Sequence, residues 1–290
     1  MNVTVMGLGE IGLGLVRALG EQSALVLTAA VDSASEKRGR ALTSWVPAAP
    51  SLTVLAELPK PVGEAVLLHA AGSYLPDVIP QLEHAVKLGY HVVSTCEELA
   101  DPGVAADGLN ALCQKEKRVV VATGVNPGFV FERFASLLVH ASGPVTAVLG
   151  TRVVDTRTRR AALQKKTGAG LSRAEFEAAV ATGRFGHVGL QASARLAARG
   201  CGLTIDAMSE TIEPVMAGET VSGIHQVVVG TQGGVERVRL DLTMALGAPQ
   251  PRDEVALAPD GLRLVVPGGT PGERATFWTT LRAAGWVDQM

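Results

Sequence analysis

A chain of 290 residues, 47% hydrophobic and 19% charged, is long enough for two domains and a sizeable core, and is neither disordered nor fibrous in composition. Its formal net charge of −2 gives no global electrostatic case for nucleic acid or an anionic membrane, which leaves small-molecule chemistry as the expectation. The three cysteines, Cys96, Cys113 and Cys201, show no C-x-x-C spacing and the six histidines no H-E-x-x-H, so neither a disulfide framework nor a metal is expected.

The chain opens on the apolar run Val3-Thr4-Val5-Met6, meets Gly7-Leu8-Gly9-Glu10-Ile11-Gly12, and continues with Ile11, Leu15, Ala18 and Leu19 at helical spacing. This predicts strand, tight turn and helix. In G-x-G-x-x-G the first glycine allows the turn, the second lets backbone approach a pyrophosphate, and the third lets the helix lie close on the strand. With 33 glycines in the chain the motif alone is weak. Weight comes from a second apolar run, 25–31, which ends in Asp32, twenty residues beyond Gly12, where an acid meets the adenosine ribose. The expected cofactor is therefore NAD or NADP, held by Gly7, Gly9, Glu10, Ile11 and Gly12 at the helix N-terminus and by Asp32. The competing reading is a doubly wound domain whose glycines only pack. Lys37, Arg38 and Arg40 follow closely and could meet the extra phosphate of NADP; a solvated helix start accounts for them equally well.

Next, 47–50 marks a loop, 52–55 could be a third strand, and 65–71 is a buried one whose end, Ala71-Gly72-Ser73, should face the cofactor. Pro76 opens a helix that carries Val78, Leu82, Ala85 and Val86 on one face and stops at Gly89. The strand 91–95 delivers Cys96-Glu97-Glu98 to the carboxyl end of the sheet, where open α/β sheets place their ligands. Consecutive residues leaving a strand point to opposite faces, so one of the two glutamates should enter the cleft. A helix over 105–116 and a strand over 119–122 lead to a second glycine-rich turn, 123–128, in which Asn126 and Pro127 are candidate cofactor contacts.

This alternation predicts an α/β nucleotide-binding domain over 1–135, a Rossmann-type doubly wound parallel sheet with helices on both faces. Beyond it, 149–155, 210–216, 223–230, 235–245 and 262–266 look like strands with few helices between them, which predicts a second α+β domain over 136–269 with an open mixed or antiparallel sheet. Its helices are 172–182, opened by the capping box Ser172-x-x-Glu175, and about 190–199. The last helix, within 270–290, should return to the first domain. A basic stretch contains Arg152, Arg157, Arg159, Arg160, Lys165, Lys166 and Arg173, and ends in Lys166-Thr167-Gly168-Ala169-Gly170. Arg160, Lys165, Lys166 and Thr167 could hold a polar or carboxylate end of a substrate; a solvated face is the plainer alternative. His187 is a candidate acid or donor, against a satisfied structural histidine. No apolar run approaches the roughly twenty residues a membrane span needs and no leader precedes the first strand, so a cytoplasmic protein is expected.

Several segments together resemble one family, the 2,4-diaminopentanoate dehydrogenases and related native amine dehydrogenases, often grouped with dihydrodipicolinate reductase N-domains. They are 7–12, Val93-Ser94-Thr95-Cys96-Glu97-Glu98-Leu99, 123–129, 162–172, Gly186-His187-Val188-Gly189-Leu190, Gly223-Ile224-His225-Gln226 and Pro267-Gly268-Gly269. The resemblance implies oxidation of a primary amine by NAD or NADP with release of ammonia, or the reverse reductive amination, in a homodimer built through the second domain's sheet. Glu97-Glu98 matches the segment that carries the family's glutamate, a carboxylate that stabilises an iminium and takes protons. The alternative for the pair is that it merely favours the start of the next helix. Dihydrodipicolinate reductase carries a His-His pair absent here, which discounts that activity itself; a related reductase of a cyclic imine or another carbonyl is the runner-up, and a non-catalytic NAD(P)-sensing protein is the alternative of another class.

Overall fold

The computed structural model describes residues 1–159, 161–183 and 185–287. The chain divides into two compact units, Met1–Val125 with Pro271–Met290, and Asn126–Thr270.

The first unit opens with β1 (Asn2–Met6), α1 (Glu10–Leu19) and β2 (Val26–Val31), then β3 (Ala65–His69), α2 (Leu75–Leu88), β4 (His91–Ser94), α3 (Asp107–Glu116) and β5 (Val120–Ala122). All five strands are parallel, in the order β2-β1-β3-β4-β5. Parallel strands need both faces covered, and alternate residues divide accordingly. Val3, Val5, Val66, Leu68 and Val93 join Leu15 and Leu19 of α1 in one core, while Ala65, Leu67 and Val92 join Val78, Leu82 and Val86 of α2 and Leu109 of α3 in the other. The run 52–55 forms no ladder; Leu55 bridges Val31 and Thr53 bridges Ala41, and that is the extent of its pairing among the described residues.

The second unit contains α4 (Val130–Val139), β6 (Ala147–Asp155), α5 (Ala161–Lys166), α6 (Arg173–Ala181), α7 (Leu190–Gly200), β7 (Ala207–Ala217), β8 (Thr220–Gln232), β9 (Val235–Ala245), β10 (Arg252–Ala258) and β11 (Arg263–Pro267). Its mixed six-stranded sheet runs β11-β10-β6-β9-β8-β7, with β6 and β9 parallel and the other pairs antiparallel. Helix α4 packs on α7 and on β10, so residues 126–135, expected with the nucleotide domain, lie in this unit. Finally α8 (Gly272–Val287) packs on α1, where Leu281 and Ala284 enter the first unit's core.

A buried polar chain crosses from β3 to β4 of the parallel sheet. His69, closing β3, is fully buried; its Nδ1 lies 3.0 Å from the Ser94 hydroxyl and its Nε2 3.2 Å from Gln81 Oε1. Gln81 donates its amide to the Asp77 carbonyl, and Ser94 Oγ accepts from Cys96 N. Since Gln81 presents an acceptor, the ring proton belongs on Nε2 and Nδ1 accepts from Ser94. Burial pushes the His69 pKa below its usual value. A histidine kept neutral in the fold but free to protonate when unfolded makes the folded state lose ground below the unfolded pKa of about 6.5, by up to about 1.4 kcal/mol per pH unit. Chemical denaturation of His69→Gln should show a shallower acid loss between pH 6.5 and 5 than the wild type; an identical slope would remove His69 from the account.

Candidate functional site

The glycine-rich turn has the geometry a dinucleotide needs. Gly7 adopts φ +87° beside the Ala70 carbonyl and Ala71, and its N–H donates to Val31 O at 2.9 Å. Any Cβ on Gly12 would sit 1.8 Å from the Gly7 carbonyl oxygen. Gly9 is different: a Cβ there meets nothing within 4 Å, and it is the N-cap of α1 without a side-chain cap. Space over an uncapped helix N-terminus, with its unpaired N–H groups and positive partial charge, fits a diphosphate. Glu10 is exposed and Ile11 half-buried at the head of that helix.

Asp32 stands beside this turn. Its Oδ2 accepts from Leu8 N at 2.7 Å and its Oδ1 from Ala34 N at 2.9 Å, while Lys37 Nζ lies 3.1 Å from Oδ2. Burial opposes ionisation, but the two N–H groups and the Lys37 ammonium outweigh it and hold the carboxyl below the usual range. The cation at Asp32 is Lys37; Arg38 is exposed, and Arg40 lies over the Trp45 ring at 5.1 Å. Asp32→Ser should weaken NAD by about tenfold, the worth of one charge-assisted hydrogen bond, and NADP by less, because Lys37 is then released toward a phosphate. Fluorescence titration of both cofactors measures that ratio; an unchanged ratio would withdraw the ribose assignment.

The loop after β3 and the turn after β4 are tied together. Glu98 N donates to Ser73 O at 3.3 Å, Cys96 Sγ lies 3.2 Å from the same carbonyl, and Glu98 Oε2 accepts from Leu75 N, the first residue of α2, at 2.7 Å. Ala71 therefore adjoins the glycine-rich turn and Ser73 adjoins Glu98. Glu97 and Glu98 are not extended: Glu97 is in the right-handed helical region and opens the 3-10 turn Glu98–Ala100. Glu98 is committed to capping α2, whereas Glu97, also half-buried, heads the turn at the carboxyl end of β4. Burial pushes the Cys96 thiol up to about 11, so it is no nucleophile at neutral pH.

In the second unit a row of polar residues crosses the otherwise apolar core face of the sheet. Asp253 pairs in register with Arg152, Arg152 with Leu242, and Leu242 with Gln226. All three polar residues are buried. Arg152 Nη1 lies 3.5 Å from Asp253 Oδ2, which also accepts from Thr270 N at 2.6 Å. Gln226 clamps His187 by its backbone, accepting from His187 N at 2.8 Å and donating to His187 O at 3.1 Å and to Glu210 Oε1 at 2.7 Å. The His187 ring bonds to the Asn126 carbonyl, and burial, followed by the nearby charges of Arg152 and Lys166, lowers its pKa to about 4. It is a neutral imidazole at physiological pH. Ser193 of α7 donates to Asn126 Oδ1 at 2.6 Å, and Glu132 of α4 lies beside them, its pKa raised by burial and only partly offset by Ser193 and Arg152.

This cluster gathers two of the predicted residues, Asn126 and His187, and Lys166 is close enough to act on the imidazole. Asn126, expected at the cofactor, accepts at its Oδ1 from Ser193. The Thr167 hydroxyl is spent on the Gln164 carbonyl at 2.8 Å, closing α5, and Lys165 and Lys166 are exposed. Pro127 is buried in the segment after Asn126, and Arg160 lies outside the described residues. Glu132, Arg152, Asp253, Gln226 and Ser193 carried no sequence signal as a group. Among the described residues no cluster of three or more His, Cys, Asp or Glu could hold a metal, and no helix is long and apolar enough to cross a membrane.

Residues 129–245 match the family model of the 2,4-diaminopentanoate dehydrogenase C-terminal domain. A curated relative, 2,4-diaminopentanoate dehydrogenase from Acetoanaerobium sticklandii, is 24% identical over 233 residues, which span 74% of this chain and 64% of the relative. Among solved structures, an amine dehydrogenase from Mycobacterium smegmatis superimposes with a TM-score of 0.84 at 17% identity, covering 99% of this chain and 92% of that one. A biliverdin reductase from a Synechocystis species, solved with biliverdin and NADP+, gives a TM-score of 0.61 at 10% identity over 99% of this chain and 90% of its own. The resemblance read from the sequence is thereby borne out, and the fold is that of these oxidoreductases, a Rossmann-type parallel sheet followed by a mixed sheet.

Proposed function

We propose that this chain is an NAD(P)-dependent amine dehydrogenase, which oxidises a primary amine to a ketone with release of ammonia, or runs the same reaction in reverse. The observation that carries the reading is the Glu97-Glu98 turn at the carboxyl end of β4, where Glu98 caps α2 and Glu97 heads the turn at the end of the sheet where such folds place their ligands. The family model and the curated relative support a dehydrogenase, and the Gly7–Gly12 turn with Asp32 fits either nicotinamide dinucleotide.

NAD(P)+, when bound, supplies the hydride acceptor. Overall, amine, water and oxidised cofactor become ketone, ammonia, reduced cofactor and a proton. The uncatalysed obstacle is positive charge on the carbon–nitrogen unit as hydride leaves, followed by deprotonation of the attacking water. Glu97 answers both: its charge stabilises the cation and its oxygen takes the proton. The network His69–Ser94–Cys96 N holds the preceding residue, and the Glu98–Leu75 bond holds the following one, so Glu97 is fixed from both sides. Gly7, Gly9 and Gly12 keep the diphosphate at the N-terminus of α1.

A panel of primary amines offered with NAD+ and with NADP+ tests the reading. Reduced cofactor and ammonia should appear in equal amounts with at least one amine. A protein that binds NADH but leaves every amine and ketone unchanged would be a sensor instead.

A further inference from the structure

Strand β3 is apolar and buried from Ala65 to Leu68 and then ends on a histidine. Its neighbour β4 ends on a serine, and the two residues pair in register at the carboxyl end of the sheet. An imidazole costs more to bury there than a leucine, so packing alone gives no reason for the pair. The His69 ring is fully buried with both nitrogens bonded to protein, Nδ1 to Ser94 and Nε2 to Gln81. No nitrogen remains for a substrate. What the ring can transmit is orientation.

The bonds of this chain all run one way. Gln81 Nε2 donates to Asp77 O at 3.1 Å, which turns Oε1 toward the ring; His69 Nε2–H donates to that oxygen, Ser94 Oγ–H donates to His69 Nδ1, and Cys96 N–H donates to Ser94 Oγ at 3.1 Å. Each link spends one proton and one lone pair, so the direction at one end fixes the direction at the other. In the opposite tautomer Nδ1–H and Cys96 N–H would both point at Ser94 Oγ, and the Gln81 oxygen would face a lone pair. The last link is the backbone of the Glu97 turn. With Cys96 N held by Ser94, Thr95 N on the His69 carbonyl at 2.9 Å and Glu98 N on Ser73 O at 3.3 Å, the exit of the chain from β4 is set, and with it the place of Glu97. We propose that Gln81 and His69 are positioning residues for Glu97, acting through Ser94 and the Cys96 N–H, and that the tautomer Gln81 imposes on His69 keeps the turn in its reactive geometry. A displacement of about an ångström in such a group is enough to cost a large factor in rate. This rests on the amine dehydrogenase reading.

Two substitutions test it, at the two ends of the chain. Ser94→Ala removes the acceptor of Cys96 N, and Gln81→Met, at a half-buried position of α2, removes the acceptor of His69 Nε2 at a distance from the turn. With the primary amine that wild type oxidises fastest, kcat should fall by about tenfold or more in Ser94→Ala and about threefold or more in Gln81→Met, while KM and cofactor affinity stay within about threefold of wild type. Made in the Glu97→Gln background, either substitution should change kcat by less than about twofold, because no carboxylate is left to aim. A merely structural chain would lower Tm and take the same factor from both backgrounds. Nitrogen NMR of the His69 ring should find its proton on Nε2 in the wild type and shared between the two nitrogens in Gln81→Met. Wild-type kcat in Gln81→Met, an equal loss with and without the Glu97 carboxylate, or a wild-type proton on Nδ1 overturns the proposal. If Ser94→Ala does not fold, Gln81→Met carries the comparison alone. Oxidation of no primary amine by the wild type would instead count against the amine dehydrogenase reading, and amide exchange then decides: the Cys96 N–H should exchange about tenfold faster in Gln81→Met than in wild type, and equal exchange would show that the chain does not hold the turn.

Discussion

Glu97→Gln is expected to lower kcat for amine oxidation by roughly 10²–10⁴-fold, the usual loss for a removed acid–base group, with cofactor binding kept. Glutamine preserves the shape of the side chain and takes away its charge and basicity. Glu98→Gln should behave differently, because its carboxylate holds Leu75 N at the head of α2. Loss of that charged cap should cost about 1 kcal/mol of stability, seen as a lower Tm, with kcat changed by only a few fold. Steady-state kinetics at saturating amine and cofactor, with melts of both variants, separate the two. Near wild-type kcat in both would end the carboxylate mechanism. Because an alkylamine has a pKa near lysine's, about 10.4, oxidation by the wild type should also quicken toward alkaline pH as neutral amine becomes available.

The glycines of the first turn should part in the same way, one affecting binding and one affecting the fold. Gly9→Ala places a methyl where no protein atom lies within 4 Å, so Tm should stay within a few degrees of wild type while affinity for NAD and NADP falls by about tenfold or more, the methyl occupying the space that a diphosphate needs. Gly12→Ala drives its Cβ into the Gly7 carbonyl, a backbone atom that cannot rotate away. That variant should lose about 1–3 kcal/mol or fail to fold. Calorimetry and cofactor titration of the pair give the contrast. Cofactor affinity untouched by Gly9→Ala would return the motif to a turn that only packs.

The first unit was legible because its signals are local. Strand, Gly7-x-Gly9-x-x-Gly12, helix and Asp32 are set by spacing along the chain, and the structure has them at the expected positions. The resemblance to the dehydrogenase family was legible for the same reason, since it rests on short runs along the chain, and residues 129–245 match the family model. Strand β10 was not, because Asp253 takes a core-facing place in the alternation Asp253, Val255, Leu257, and a buried acid in that row hides the period. The polar cluster was invisible for a deeper reason: Asp253, Arg152 and Gln226 come from three strands, Glu132 and Ser193 from two helices, and only the register of the sheet brings them together. The distinction between Glu97 and Glu98 had been sought in strand alternation, which does not apply in a 3-10 turn; it lies in the bond to Leu75, far away in sequence. For the basic stretch, charge along the chain does not tell a solvated face from a site: Lys165 and Lys166 are exposed and the Thr167 hydroxyl closes its own helix.

The amine reading is tested most directly by following the hydrogen itself. An amine deuterated at the nitrogen-bearing carbon should pass that deuterium to the nicotinamide, detected by mass spectrometry of the reduced cofactor, with one ammonia released for each cofactor reduced and the transfer slowed at least tenfold in Glu97→Gln. Deuterium retained in the organic product while cofactor is reduced, or no reduction by any primary amine, would contradict an amine dehydrogenase.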